Sequence, residues 1–160
     1  RLPRPVSVLT REVSMTSVAK ILQSKPDTTV HTIAPTALVF DALKLMADKG
    51  IGALLVTEGV AIAGIFTERD YARKIALMGR TSSVTQVRDV MTSAVRFVRP
   101  DQTSEQCMQI MSTGRMRHLP VVDANDKLVG MISIGDLVKD IISEQKFIIE
   151  QLEHYITGTH

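Results

Sequence analysis

Apolar and polar positions follow the same order twice along this chain. A short run, TVHTI at 29–33, leads to Pro35, after which Leu38, Ala42, Leu45 and Met46 recur at helical spacing. Two apolar runs follow, ALLV at 53–56 and IAGIF at 62–66, around Glu58-Gly59, and read as a strand pair on a tight turn. The order then returns with AVRFV at 94–98, Pro100, a helical spacing through Cys107, Met108, Ile110 and Met111, and the runs HLPVV at 118–122 and LVGMI at 128–132 around Asn125-Asp126. A further helix is predicted just after Thr67 in the first copy and just after Ser133 in the second.

With Pro35 aligned on Pro100, Met46 falls on Met111, Leu54 on Leu119 and Val56 on Val121; one extra residue in the second turn then sets Gly64 on Gly130 and Asp70 on Asp136. Each copy reads β-α-β-β-α, which predicts an α+β fold of small sheets with helices packed on them. A unit of about 60 residues is marginal alone, so two copies packed face to face around a shared core are expected. The boundaries read as an N-terminal arm over 1–17, a first repeat over 18–78, a polar linker over 79–86, a second repeat over 87–143, and a helical extension and tail over 144–160. In that extension the stripe Ile134, Leu137, Val138, Ile141 and Ile142 continues through Ile148, Ile149, Leu152, Tyr155 and Ile156. It either packs back on the core or meets a partner subunit.

The repeated motif with the most chemistry is GIFTERD, Gly64 to Asp70, and its echo GMISIGD, Gly130 to Asp136. A strand hands the chain to a helix there, and a helix N-terminus offers free N–H groups to an anion. Thr67 and Ser133 place a hydroxyl for a phosphate oxygen. Asp70 and Asp136 place a carboxylate that can accept from two vicinal hydroxyls, as a ribose presents. Gly64 and Gly130 would leave the strand surface bare for a flat base. The same spacing also makes a capping box, a hydroxyl at the cap and an acid three residues on, and the residues alone leave both readings open. Arg117 and His118 in RMRHLP replace Gly52 and Ala53 of the first copy, so the fold does not demand charge there; an arginine fork suits a phosphate. Arg69 is matched by Gly135, so the two sites are expected to differ, with the better-formed one at Thr67 and Asp70, helped by Arg117 or His118 across the repeat interface.

Composition narrows the classes. A net charge of +2 with 4% aromatic residues gives no reason to expect a nucleic-acid partner. No stretch is long and apolar enough for a membrane span, and no secretory signal is seen, so a cytoplasmic protein is expected. The single cysteine excludes a disulfide within the chain. His31, His118, His154 and His160 show no ligand spacing, so no metal is expected. No general base with a partner can be named, and catalysis is not expected.

The two copies, VHTIAP through GALLV to GIFTERD and RFVRP through RHLPVVD to GMISIGD, resemble tandem CBS domains, a Bateman module, over about residues 18 to 143. The resemblance implies a regulatory or sensor module that binds an adenosine-containing ligand between the repeats: AMP first, or ADP, ATP, NAD or S-adenosylmethionine. It assigns the ribose and phosphate roles to Thr67, Asp70, Ser133 and Asp136. It lines the adenine pocket with Thr32, Ile33 and Ala34 and with Val98 and Arg99, and Ile65, Met131 and Ile132 would supply apolar walls. It also implies a homodimer and a downstream protein that reads the ligand state.

Overall fold

A computed structural model of the chain describes residues 16–157. Apart from Thr16 and Ser17, the expected N-terminal arm lies outside the described residues, as does the tail beyond Thr157. The elements are α1 (Val18–Ser24), β1 (Thr32–Ile33), α2 (Val39–Lys49), β2 (Ala53–Glu58), β3 (Ala61–Thr67), α3 (Glu68–Asp70), which runs on as a π-helical turn over Tyr71–Ala76, a 3₁₀ turn at Val87–Asp89, α4 (Ser104–Gly114), β4 (His118–Val122), β5 (Leu128–Ser133) and α5 (Ile134–Thr157). This is the α+β class, with the β-α-β-β-α order twice and a long C-terminal helix.

The chain divides into two compact units, and each draws on both halves of the sequence. One spans Thr29–Arg96 and carries Asp70; the other joins the residues up to Thr28 to those from Phe97 onward and carries Asp136. In the Asp70 unit, β1 pairs parallel with β2 and β2 antiparallel with β3. Its core is Val39, Ala42 and Met46 of α2, Leu54, Val56 and Phe66 of the strands, and Ile75, with Val87 and Val90 from the segment that opens the second repeat. In the Asp136 unit, β4 and β5 form an antiparallel pair, and Val98 adds a single parallel bridge to Val121. Its core joins Val98, Cys107, Met111, Leu119, Val121, Ile132 and Leu137 to Val18 and Ile21 of α1, the helix that opens the first repeat. The entry segment of each repeat thus packs in the unit of the other.

The first strand of each copy is shorter than its apolar run predicts. Only Thr32–Ile33 and Val98 pair with a neighbouring strand; Val98 is the one buried residue of the two runs, and Thr32, Arg96 and Phe97 are exposed. Helix α2 begins at Val39, with Leu38 as its N-cap, so it buries Val39, Ala42 and Met46 rather than Leu38. Gly50 closes it with φ +64°, a left-handed conformation that glycine adopts without strain. In the other copy Thr103 caps α4 with a reciprocal box to Gln106. Along α5, Leu137 is fully buried, whereas Val138, Ile142, Phe147, Ile149, Tyr155 and Ile156 are exposed. The apolar stripe therefore outlasts the core that its own unit supplies.

Gly64 and Gly130 are not bare. A β-carbon at Gly64 would lie 2.7 Å from Met91 Sδ and 2.8 Å from the Thr92 carbonyl oxygen. At Gly130 it would lie 2.8 Å from Leu22 Cδ2. The expected open strand face is filled by the chain's own entry segments, and the missing side chain serves close packing. On β3 that approach is sealed by Ile65 N to Thr92 O and Thr92 N to Ile65 O, both 2.9 Å. Gly64→Ala should push against backbone and cost about 1–3 kcal/mol of unfolding free energy. Gly130→Ala meets only the tip of a leucine and should cost clearly less. Urea denaturation of the two variants checks this order; equal costs would contradict it.

Candidate functional site

Both copies of the motif fold into the same local device. Thr67 ends β3 with extended backbone and caps α3: its Oγ1 accepts from Asp70 N at 3.1 Å, and its own N–H donates to Asp70 Oδ2 at 3.0 Å. Ser133 and Asp136 repeat this at the start of α5, with Asp136 N to Ser133 Oγ at 3.1 Å and Ser133 N to Asp136 Oδ2 at 2.8 Å. The capping reading is therefore realised in both copies. It also locks each carboxylate at a helix N-terminus, facing one way.

What surrounds the two carboxylates differs. Asp70 is buried, and both of its oxygens are taken. Oδ2 also accepts from Thr67 Oγ1 at 3.2 Å, and Oδ1 accepts from Thr92 Oγ1 at 3.0 Å and from Lys74 Nζ at 3.1 Å. Lys74 donates as well to the Val90 carbonyl at 3.0 Å. Asp136 meets Lys25, the residue that closes α1: Nζ lies 2.9 Å from Asp136 Oδ2 and 2.9 Å from the Met131 carbonyl oxygen. Among the described residues no donor reaches Asp136 Oδ1. The lysine side chain is 24% exposed at Asp136 and 43% at Asp70, so the Lys25 pair is the less screened of the two. Sequence favoured Thr67 and Asp70 as the better-formed site; the hydrogen bonding leaves the freer acceptor at Asp136.

Burial alone would raise the Asp136 carboxyl, but the Ser133 N–H, the Lys25 ammonium and the Ser133 hydroxyl outweigh it and hold it below the usual 3.8. One and two turns further along α5, Asp140 and Glu144 are both pushed up by burial, each partly offset by Lys20; Thr16 Oγ1 also donates to Glu144. Lys20, Lys25, Asp136, Lys139, Asp140 and Glu144 all line one groove of about 970 Å³ between α1 and α5. Cys107 is buried, which pushes its thiol up to about 11 and leaves it a core residue.

The other expected site residues fall as follows. Thr32 and Ile65 both pair with Leu55 and so flank β2 on one row, with Ile33 beside Val56 and exposed Ala34 just beyond. Arg69 follows Glu68 in the first turn of α3 and is half-buried. His118 pairs with Ser133 across β4 and β5, Ile132 lies opposite Leu119 in the core, and Met131 lies opposite Pro120. Arg117 precedes β4 and is exposed; its carbonyl accepts from Ile134 N at 2.8 Å. Arg117 and His118 belong to the unit of Asp136, and Thr67 and Asp70 to the other. Arg99 points to the opposite end of the hairpin from Ser133: it pairs with Asp126 at 3.0 Å, donates to the Asp123 carbonyl and lies over Phe97. About five residues of strand, roughly 15 Å, separate that end from Asp136.

Lys25, Thr92 and Lys74 were not anticipated. Lys74 was legible, since it stands four residues after Asp70 on one helical face. Lys25 and Thr92 reach their aspartates only because the entry segments change units.

The comparisons agree with this architecture. The CBS domain model matches residues 4–77 and 87–143, and the chain belongs to the CBS-domain family as a tandem pair. It is 43% identical over 126 residues to the mitochondrial CBS domain-containing protein CBSX3 of Arabidopsis thaliana, covering 75% of this chain and 60% of that one, so the chain spans less than two thirds of this relative. It is 33% identical over 118 residues to the CBS domain-containing protein YhcV of Bacillus subtilis, covering 74% and 83%. A solved structure from Burkholderia ambifaria, a CBS-domain protein considered to act in signal transduction, matches with TM-score 0.78 and 56% identity over 81% of this chain and 96% of that one. A hexameric CBS-CP12 protein from bloom-forming cyanobacteria matches at TM-score 0.67 and 28% identity, over 78% and 71%. Among the described residues no helix is long and apolar enough to cross a membrane. With a mitochondrial relative, family membership does not fix a compartment.

The depressed carboxyl of Asp136 makes a signed prediction. Its contribution is present at neutral pH and is lost as pH falls below about 4 towards its lowered value. Thermal midpoints of wild type and Asp136→Asn should differ at pH 7 and converge in acid; a gap that does not change with pH would contradict the pairing.

Proposed function

We propose that this CBS pair is a regulatory module, not an enzyme, that binds an adenine nucleotide at the two Thr/Ser-x-x-Asp motifs and passes its occupancy on as a change in conformation or self-association. The observation that carries the reading is the pair of carboxylates fixed by their own caps at helix N-termini in a CBS fold. A carboxylate held this way accepts from the 2′- and 3′-hydroxyls of a ribose, and the N-terminal hydroxyl and N–H groups favour a phosphate. At Asp136 the ribose takes Oδ1 directly. At Asp70 it must replace Thr92 and Lys74 on Oδ1, both side-chain donors that can turn away. Thr32, Ile33, Ala34, Ile65, Val98, Met131 and Ile132 supply the base pocket by family resemblance, and Arg69, Arg117 and His118 are the phosphate candidates that the sequence offers. Arg99, bound to the hairpin turn, serves that turn first.

A ligand selective for one arrangement of the module shifts the population towards it, and a downstream protein that recognises the arrangement then responds to nucleotide level. The exposed apolar stripe of α5 supports a homodimer as the responding assembly. AMP is the first candidate, with ADP, ATP and NAD in the same class.

A thermal-shift panel of AMP, ADP, ATP, NAD and S-adenosylmethionine tests the reading. A ligand at 100 times its Kd adds about 2.7 kcal/mol, a shift of several degrees, and Asp70→Ala with Asp136→Ala together should abolish it. No shift with any of the five would overturn it and leave a structural module with caps written twice. Removing residues 145–160 should leave nucleotide affinity intact and lower self-association in sedimentation; unchanged association would remove α5 from the responding interface.

A further inference from the structure

At Asp136 a cation is held in place beside the carboxylate. Lys25 is anchored twice, on Asp136 Oδ2 and on the Met131 carbonyl oxygen, both at 2.9 Å. An ammonium has three N–H donors, so one remains after these two bonds. Its stem is fixed where α1 ends: Lys25 N bonds the Leu22 carbonyl, and Leu22 itself rests against Gly130. The head is therefore a placed charge rather than a roving surface lysine. Asp136 Oδ1 stays open on the same carboxylate. A ligand that takes Oδ1 with vicinal hydroxyls thus meets, within a few ångströms, a fixed ammonium with a donor to give.

Resting on the nucleotide reading of this motif, we infer that Lys25 is the residue that reads phosphate at the Asp136 site, so that this site takes phosphorylated adenosine ligands and rejects adenosine and S-adenosylmethionine. The remaining N–H of Lys25 donates to the first phosphate. A neutral nucleoside leaves that donor unused, and a sulfonium ligand sets a positive charge against it. Lys139 lines the same groove one turn along α5 and adds to the positive side. Lys20 also lines the groove, and its charge offsets part of the upward shift of Asp140 and Glu144. The Asp70 site lacks this arrangement: its lysine comes from its own helix, is more exposed, and shares the oxygen Oδ1 with Thr92.

Isothermal titration in an Asp70→Ala background, with ADP and adenosine as probes, reads the Asp136 site alone. ADP should bind about tenfold or more tighter than adenosine, because a charge-assisted hydrogen bond carries roughly that factor. Lys25→Met should remove most of that preference by weakening ADP, while adenosine holds or tightens as Asp136 is released. Lys25→Arg, which keeps the charge and a donor, should preserve it and shows that loss in Lys25→Met is not loss of fold; melting curves of both variants add a second check. ADP binding with an unchanged ADP-to-adenosine ratio in Lys25→Met would overturn the role of Lys25 and leave the nucleotide reading standing. Failure of wild type to bind ADP would overturn this assignment, and failure with AMP, ATP and NAD as well would overturn the nucleotide reading with it.

Discussion

A segment of chain can lie directly on a β-strand only where the strand offers no side chain, and both motif strands are built around that constraint. Gly64 admits Met91 and Thr92, and Gly130 admits Leu22. Once the entry segments lie there, Thr92 and Lys25 are brought to Asp70 and Asp136. The same approach puts Val87 and Val90 in one core and Val18 and Ile21 in the other. Packing and site chemistry thus share one cause. A substitution at Gly64 would disturb the core and the surroundings of Asp70 together.

The two copies keep this geometry and differ in charge. In one, the entry segment contributes a neutral hydroxyl and a lysine comes from the motif's own helix; both aspartate oxygens are engaged. In the other, the entry segment contributes the lysine itself, on one oxygen only. The first carboxylate is closer to a structural cap, the second closer to a poised acceptor. The repeated scaffold thus carries unequal electrostatics at its two motifs without any change of fold. The long amphipathic α5, which starts at Ser133–Asp136 and presents Val138, Ile142, Ile149 and Ile156 outward, is the element best placed to carry a change at that motif away from it.

Much of this was legible in the residues. The doubled apolar pattern gave the repeat, the strand pairs and the helix after each motif, and these stand within a residue or two. The capping box at Thr67 and Asp70 follows from spacing alone, because its partners are three residues apart. The misses at Lys25 and Thr92 share one physical origin. Period and propensity describe neighbours along the chain, whereas Lys25 and Asp136 are brought together by an exchange of segments that no local pattern records. The same exchange explains why Gly64 and Gly130 looked like open faces. Resemblance sets Arg99 with Val98 in the base pocket; its side chain pairs with Asp126 and lies over the Phe97 ring. The first strands are shorter than their β-rich runs, since only Thr32–Ile33 and Val98 find a partner strand.

On the proposed reading, the capped aspartates are the ligand-binding centres of this CBS pair. The most direct measurement is an amide NMR titration with ADP, following the N–H signals of Thr67, Asp70, Ser133 and Asp136. The account predicts saturable shifts at Ser133 and Asp136 at the lowest ligand concentrations, with Thr67 and Asp70 following at higher ones. Saturable shifts confined to other residues, or none at all, would contradict it.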